Sequence, residues 1–221
     1  MKPGIRHFLA GLLLAGASCA QAPKAAPPPR VERVVLVHGF LETGQTFKML
    51  QKRLEKRGVQ CFVPRLRRSD GRGGLENLAV RLKQDIEEHF GTEKPISIVA
   101  FSMGGLVSRV YLQNLDGAKR CENLITISSP HQGTNAAWIY PTKGAEQMRP
   151  GSQFLAELQG TEGRLGNMSV ASYRTPMDLV ILPPRRSIWE RADNLEFSVL
   201  MHPLMLTNRK VIADIERRLL E

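Results

Sequence analysis

The sequence has little cysteine. Cys19, Cys61 and Cys121 are spread along 221 residues, and the five histidines are scattered without the spacing of metal ligands. No metal centre and no cofactor are expected. Long apolar runs are also missing: Phe8–Ala17 is too short to span a bilayer. There is no internal repeat. The formal net charge of +10 has no nucleic-acid-binding motif beside it, so no nucleic acid is expected as a partner. The excess sits in local runs such as Arg65, Arg67, Arg68 and Arg72, which read as a solvated basic surface or as attraction to anionic lipid.

The N-terminus reads as a targeting segment. Lys2 and Arg6 precede Phe8–Ala17 and small residues follow, the pattern of a signal peptide over residues 1–18. Gly16-Ala17-Ser18-Cys19 resembles a bacterial lipobox, which would make Cys19 a lipidation site and give membrane association. Ser18-Cys19-Ala20 equally suits ordinary cleavage before Gln21. Either route exports the protein, lipid-anchored in a bacterial cell envelope or secreted. Residues 20–30, rich in Pro and Ala, read as an extended tether. One domain over residues 31–221 remains, of ordinary globular composition at 42% hydrophobic and 24% charged residues for the whole chain.

Strand and helix signals alternate along that domain. Arg33–His38, Val59–Pro64, Ile96–Phe101, Asn123–Ser128, Met168–Tyr173 and Leu195–Met201 read as strands. Thr46–Arg57, Leu75–Phe90, Gly104–Leu115 and Asn208–Glu221 have helical periodicity. Residues 132–166 read as irregular, with a short helix near Gln153–Leu158. Near-continuous apolar strands alternating with helices predict a parallel sheet covered on both faces, an α/β fold. Cys61 and Cys121 then fall on strands that are not neighbours, too far apart to bridge, and are expected to be buried free thiols.

Polar candidates gather where strands end, which is where sites lie in such sheets. Ile96–Phe101 runs into Ala100-Phe101-Ser102-Met103-Gly104-Gly105, and a helical pattern follows. That is the signature of a nucleophile elbow with Ser102 at its apex, since small residues two positions either side let strand and helix close on the turn. Serine attack on an acyl carbon needs a base, a carboxylate to orient it and donors for the oxyanion. The chain order for such an elbow is nucleophile, acid, base. His202, after the last strand signal, is the favoured base, and His131 the rival. Asp178, between the serine and the late histidine, is the favoured acid. Asp193 precedes the last strand signal and is expected at the opposite edge. The backbone N–H groups of Phe40 and Met103 are the expected oxyanion donors, with His38 and Gly39 shaping the turn before Phe40 and His131 supporting the site. Phe40, Leu41, Met103, Trp138, Ile139 and Leu204 are expected near an apolar mouth.

The chain resembles the α/β-hydrolases of compact bacterial lipase type. Val37-His38-Gly39-Phe40, the Ser102 motif, Ser129-Pro130-His131-Gln132-Gly133-Thr134, Met148-Arg149-Pro150-Gly151-Ser152-x-Phe154-Leu155, Asp178-Leu179-Val180 and His202 carry the resemblance. It implies an α/β-hydrolase fold and a Ser102–His202–Asp178 triad that cleaves ester or lipid substrates through an acyl-enzyme. An acyltransferase, a polyester depolymerase or a non-catalytic binding protein on the same scaffold are the alternatives. Larger lipases carry a helical lid between the fourth strand and the acid. Residues 134–166 have room for one or two short helices, so a small or absent lid is expected.

Overall fold

Four consecutive buried apolar residues, Val34–Val37, make the first strand, β1 (Arg33–Val37), which starts near the middle of the sheet. The computed structural model describes Met1 and residues 30–221; the signal segment, Cys19 and the tether as far as Pro29 lie outside the described residues. The remaining strands are β2 (Gln60–Phe62), β3 (Ile96–Phe101), β4 (Cys121–Ile127), β5 (Ser169–Arg174) and β6 (Asp193–Glu196). All pair in parallel in the order β2-β1-β3-β4-β5-β6.

Among the described residues the helices are α1 (Lys48–Lys56), α2 (Leu75–Phe90), α3 (Met103–Asn114), α4 (Lys143–Gln147), α5 (Gln153–Gly160) and α6 (Arg209–Leu220). The two-residue period of a strand sorts its side chains between two cores. Val35, Val37, Ile98 and Ala100 face α2 and α3, while Val34, Leu36, Val99 and Phe101 face α1 and α6. With both faces covered, no strand position in the centre can be polar without a partner, which accounts for the unbroken apolar runs. The last helix shows the complementary pattern. Asn208 caps it by accepting from the Lys210 and Val211 N–H groups, and Val211, Ile212, Ile215 and Leu219 form its buried stripe.

Several expected boundaries shift. The final strand covers Asp193–Glu196, not Leu195–Met201, so Asp193 begins it instead of preceding it. Residues 197–201 leave the sheet: the Phe197 N–H still reaches Arg174 O, but Val199 is bonded through its N–H and carbonyl to the Thr175 hydroxyl. Residues 132–166 hold α4, α5 and two 3-10 turns, Asn135–Trp138 and Glu162–Leu165. Cys61 and Cys121 are free, with β1 and β3 between their strands; Cys121 is buried, whereas Cys61 is only half-buried. Among the described residues no helix is long and apolar enough to cross a membrane, and no group of ligating side chains could hold a metal ion.

Candidate active site

Ser102 sits between β3 and α3 at φ 53°, ψ −128°. A non-glycine residue in such a region costs about 1–3 kcal/mol and persists only where its surroundings hold it. Three contacts hold it here. The Ser102 N–H donates to Ile127 O at 2.8 Å, tying the turn to β4. A side-chain carbon at Gly104 would lie 2.4 Å from Val37 O and 2.6 Å from His38 O, so α3 starts directly against the end of β1. A side-chain carbon at Gly105 would lie 2.1 Å from the Ser129 hydroxyl. The second glycine of the motif is therefore as constrained as the first, which sequence reasoning did not single out.

His202 opens a 3-10 turn, His202–Leu206, beyond β6. Its Nδ1 lies 2.8 and 3.0 Å from the two oxygens of Asp178, which is itself buried. Asp178 Oδ1 also accepts from the N–H groups of Val180 and Ile181, both at 2.9 Å. Burial pushes the Asp178 carboxyl up, but the hydrogen bond and charge of His202 and the two backbone N–H groups outweigh it and leave it below its ordinary value. The stretch 179–182, apolar in sequence, is a bend that supplies these donors. The His202 ring packs 4.6 Å from Phe101, the residue before Ser102. With Nδ1 committed to Asp178, Nε2 has no partner among the described residues. The structure thus brings Asp178 and His202 together; no hydrogen bond joins Ser102 to His202. Such contacts are commonly long in unliganded sites and tighten around substrate.

The turn after β1 is held by side chains. His38, buried, meets Gly39 O through Nδ1 at 3.1 Å and receives the Leu66 N–H on Nε2 at 3.3 Å. Those partners require the proton on Nδ1. Burial lowers the His38 pKa, with the Gly39 bond opposing it. The Gly39 N–H donates to Glu42 Oε2 at 3.0 Å. Among the described residues neither the Phe40 nor the Met103 N–H is taken by a protein acceptor. Met103 N–H lies at the start of α3, where the helix dipole favours negative charge.

His131 stands apart from this group. It is buried, its Nε2 lies 3.0 Å from the Thr126 hydroxyl and its Nδ1 3.4 Å from Arg109, and its ring stacks on Trp189 at 4.6 Å. Burial, then the Arg109 charge, hold its pKa well below the ordinary value. It braces the wall behind β4 and has no nitrogen free to act as the rival base. Sequence reasoning missed its partners. Arg109 binds Gln113, Leu158 O and Glu162, and Glu162 also accepts from the Trp189 indole.

A cleft of about 60 Å³ opens at Ser102, lined by Phe40, Pro130, Ala137, Tyr140, Met148 and Val180 among others. Larger cavities, about 670 Å³ beside Asn114 and Arg164 and about 400 Å³ beside Arg109 and Trp189, do not include Ser102. The same sheet edge carries a rim of exposed apolar side chains. Leu41, Trp138, Ile139, Leu179, Leu200 and Leu204 follow the carboxyl ends of β1, β4, β5 and β6 and are 39–74% exposed. Met103 does not belong to this rim: its side chain is fully buried against α2 and only its backbone remains at the site.

A family model described as alpha/beta hydrolase fold matches residues 32–204. No curated protein sequence matches the chain. Among solved structures, the mature Bacillus licheniformis lipase BlEst2 is similar at 16% identity and a TM-score of 0.73, over 90% of this chain and 96% of that one. A monoacylglycerol lipase from Paleococcus ferrophilus is similar at 14% identity and a TM-score of 0.64, over 86% and 93%. Aspergillus fumigatus lipase B matches at 15% identity and a TM-score of 0.67, over 83% of this chain and 51% of its own length. At these identities the structures speak for the fold. The matched model, the six-stranded parallel sheet and the strained Ser102 turn together make this chain a member of the α/β-hydrolase family, which supports an enzyme of hydrolase type.

Proposed function

We propose that the protein is a serine esterase that cleaves acyl esters of lipids. The observation that carries this reading is the His202–Asp178 pair, one imidazole nitrogen tied to a buried carboxylate and the other free among the described residues, at the same sheet edge as the strained Ser102. In the reaction, His202 Nε2 takes the Ser102 hydroxyl proton as Oγ attacks the ester carbonyl. Asp178 accepts the Nδ1–H, fixes the tautomer and stabilises the imidazolium. The Phe40 and Met103 N–H groups receive the negative charge on the carbonyl oxygen. His202 returns its proton to the departing alcohol, leaving an ester on Ser102. Water, deprotonated by the same nitrogen, then releases the acid and regenerates the serine.

The apolar lining of the cleft and the exposed rim on the same sheet edge support a lipid acyl chain as the group bound. Attachment to a bacterial envelope through Cys19, or secretion, belongs to the same reading and rests on the first residues of the sequence alone.

The test compares the protein with its Ser102→Ala variant on p-nitrophenyl esters from acetate to palmitate. The variant is expected to lose about 10⁴-fold or more in kcat, with an optimum at long chains in the parent. An optimum at acetate would replace the lipid substrate with a small ester. Labelling of Ser102 by a fluorophosphonate without release of free acid would point to acyl transfer or a polymer substrate. No labelling and no hydrolysis would leave a binding protein.

A further inference from the structure

We infer that Glu42 is a positioning residue for the reaction proposed above: its carboxylate clamps the Gly39 N–H and thereby fixes the turn that presents the Phe40 N–H to the oxyanion. The inference rests on that reading of the site.

Three observations carry it. The first is the clamp itself, the 3.0 Å bond from the Gly39 N–H to Glu42 Oε2. Gly39 is buried, and among the described residues its N–H has no other acceptor, so removing the carboxylate would strand a buried donor. The second is the geometry of the next peptide unit. Gly39 C=O and Phe40 N–H belong to one planar amide and point in opposite directions. His38 Nδ1 holds the carbonyl at 3.1 Å and so directs the Phe40 N–H to the other side. Glu42 and His38 therefore pin two successive peptide units: the second carries the donor itself, and the first fixes the backbone from which it departs. The third is proximity. A side-chain carbon at Gly39 would lie 2.9 Å from Ser102 Cβ and 3.3 Å from Glu42 Oε2, so serine and carboxylate flank the space of one missing methyl group.

The rest of the turn serves the same end. Leu41 adopts φ 57°, its N–H donates to Ser69 O at 3.1 Å, and the Ser69 hydroxyl donates to Glu42 O at 3.2 Å. The loop carrying Arg65, Arg67 and Arg68 thus buttresses the turn. The Glu42 carboxyl is raised by burial, which exceeds the opposing pull of the Gly39 N–H and of His202. His202 is the titratable group that faces it, with Asp178 holding that imidazole at Nδ1.

The experiment compares Glu42→Ala and Glu42→Gln with the parent. Glutamine keeps an acceptor for the Gly39 N–H but not the charge. Alanine is expected to lose about 10- to 100-fold in kcat with KM within about twofold, as a misdirected oxyanion donor would. Glutamine is expected to recover most of that loss. A kcat in Glu42→Ala within about twofold of the parent would overturn the inference, as would a loss confined to KM. Exchange of the Gly39 amide, followed by NMR, reads the clamp independently of any substrate. Protection should be lost in the alanine variant and kept in the glutamine variant, and equal protection in both overturns the clamp. Should the parent hydrolyse no ester, the esterase reading fails while the amide measurement still decides on Glu42.

Discussion

Two buried histidines of this molecule, His202 and His131, are equally shielded from solvent, each 6% exposed. Their surroundings differ in kind. His202 has one nitrogen tied to a carboxylate and the other without a partner among the described residues, and it stands at the same sheet edge as a serine in strained backbone. His131 has contacts on both nitrogens, a stacked indole on its face and a buried arginine beside it. Burial alone does not mark a histidine for chemistry. An orienting acid on one nitrogen and an open second nitrogen do, because proton transfer needs a defined tautomer and an unoccupied lone pair.

The comparison is sharpened most by Asp178→Asn. Removing the carboxylate while keeping the shape should cost about 10⁴-fold in kcat through the wrong tautomer. A loss under tenfold would put His202 in the same class as His131. The stability of this variant carries a second signature. The Asp178 carboxyl is held below its ordinary value, so its contribution is full above the unfolded pKa of about 3.9 and disappears as pH falls through the folded value. The asparagine variant should accordingly show a flatter loss of stability in acid, measured by urea denaturation.

On the other side of the comparison, Glu162→Ala strands Arg109, which is 2% exposed. Unfolding free energy should drop by about 3 kcal/mol, while kcat of the folded protein stays within about threefold, since neither Arg109 nor Glu162 lines the cleft at Ser102. A large fall in kcat with unchanged stability would break the division between the two regions. The smallest effect concerns His131 itself. Burial keeps it neutral in the fold, whereas the unfolded chain takes up a proton near pH 6.5. Stability from this group is full above that pH and falls below it, by at most about 1.4 kcal/mol per pH unit. Denaturation of His131→Gln between pH 7 and 5 should show a shallower slope than the parent.

The sheet and the Ser102 turn were legible because their signals are local. Unbroken apolar runs mark strands buried on both faces, and Ala100, Ser102 and Gly104 mark a turn crowded from two sides. Chain order pointed to Asp178 and His202, and the structure holds these two side chains in hydrogen-bond contact. The end of β6 was not legible. Phe197, Val199 and Leu200 look like a continuing strand, but the chain must leave the sheet there to bring His202 over Phe101, and Thr175 holds it on the way. The Arg109 group is not legible because its hydrogen-bond partners other than Gln113 are 22 to 53 residues distant in sequence. Met103 shows the limit of sequence position: it follows Ser102 directly, yet the first turn of α3 rolls its side chain into the core and away from any apolar mouth. Glu42 had a signal that went unused, an acid three residues beyond a buried glycine N–H in a tight turn.

The placement of β6 sets where the molecule first gives way. It is a four-residue edge strand, exposed along most of its length and paired on one side only. Ser102 is anchored in the centre of the sheet, whereas His202 hangs from this edge through residues 197–201. In the proposed reaction, opening of that edge together with the Thr175 and Asp178 contacts that hold residues 199–202 would take the proton acceptor from the serine while β1, β3 and β4 stay paired. The free energy that governs activity is therefore that of a local opening, smaller than that of the whole fold, and such an enzyme is switched off by heat before it is unfolded by it.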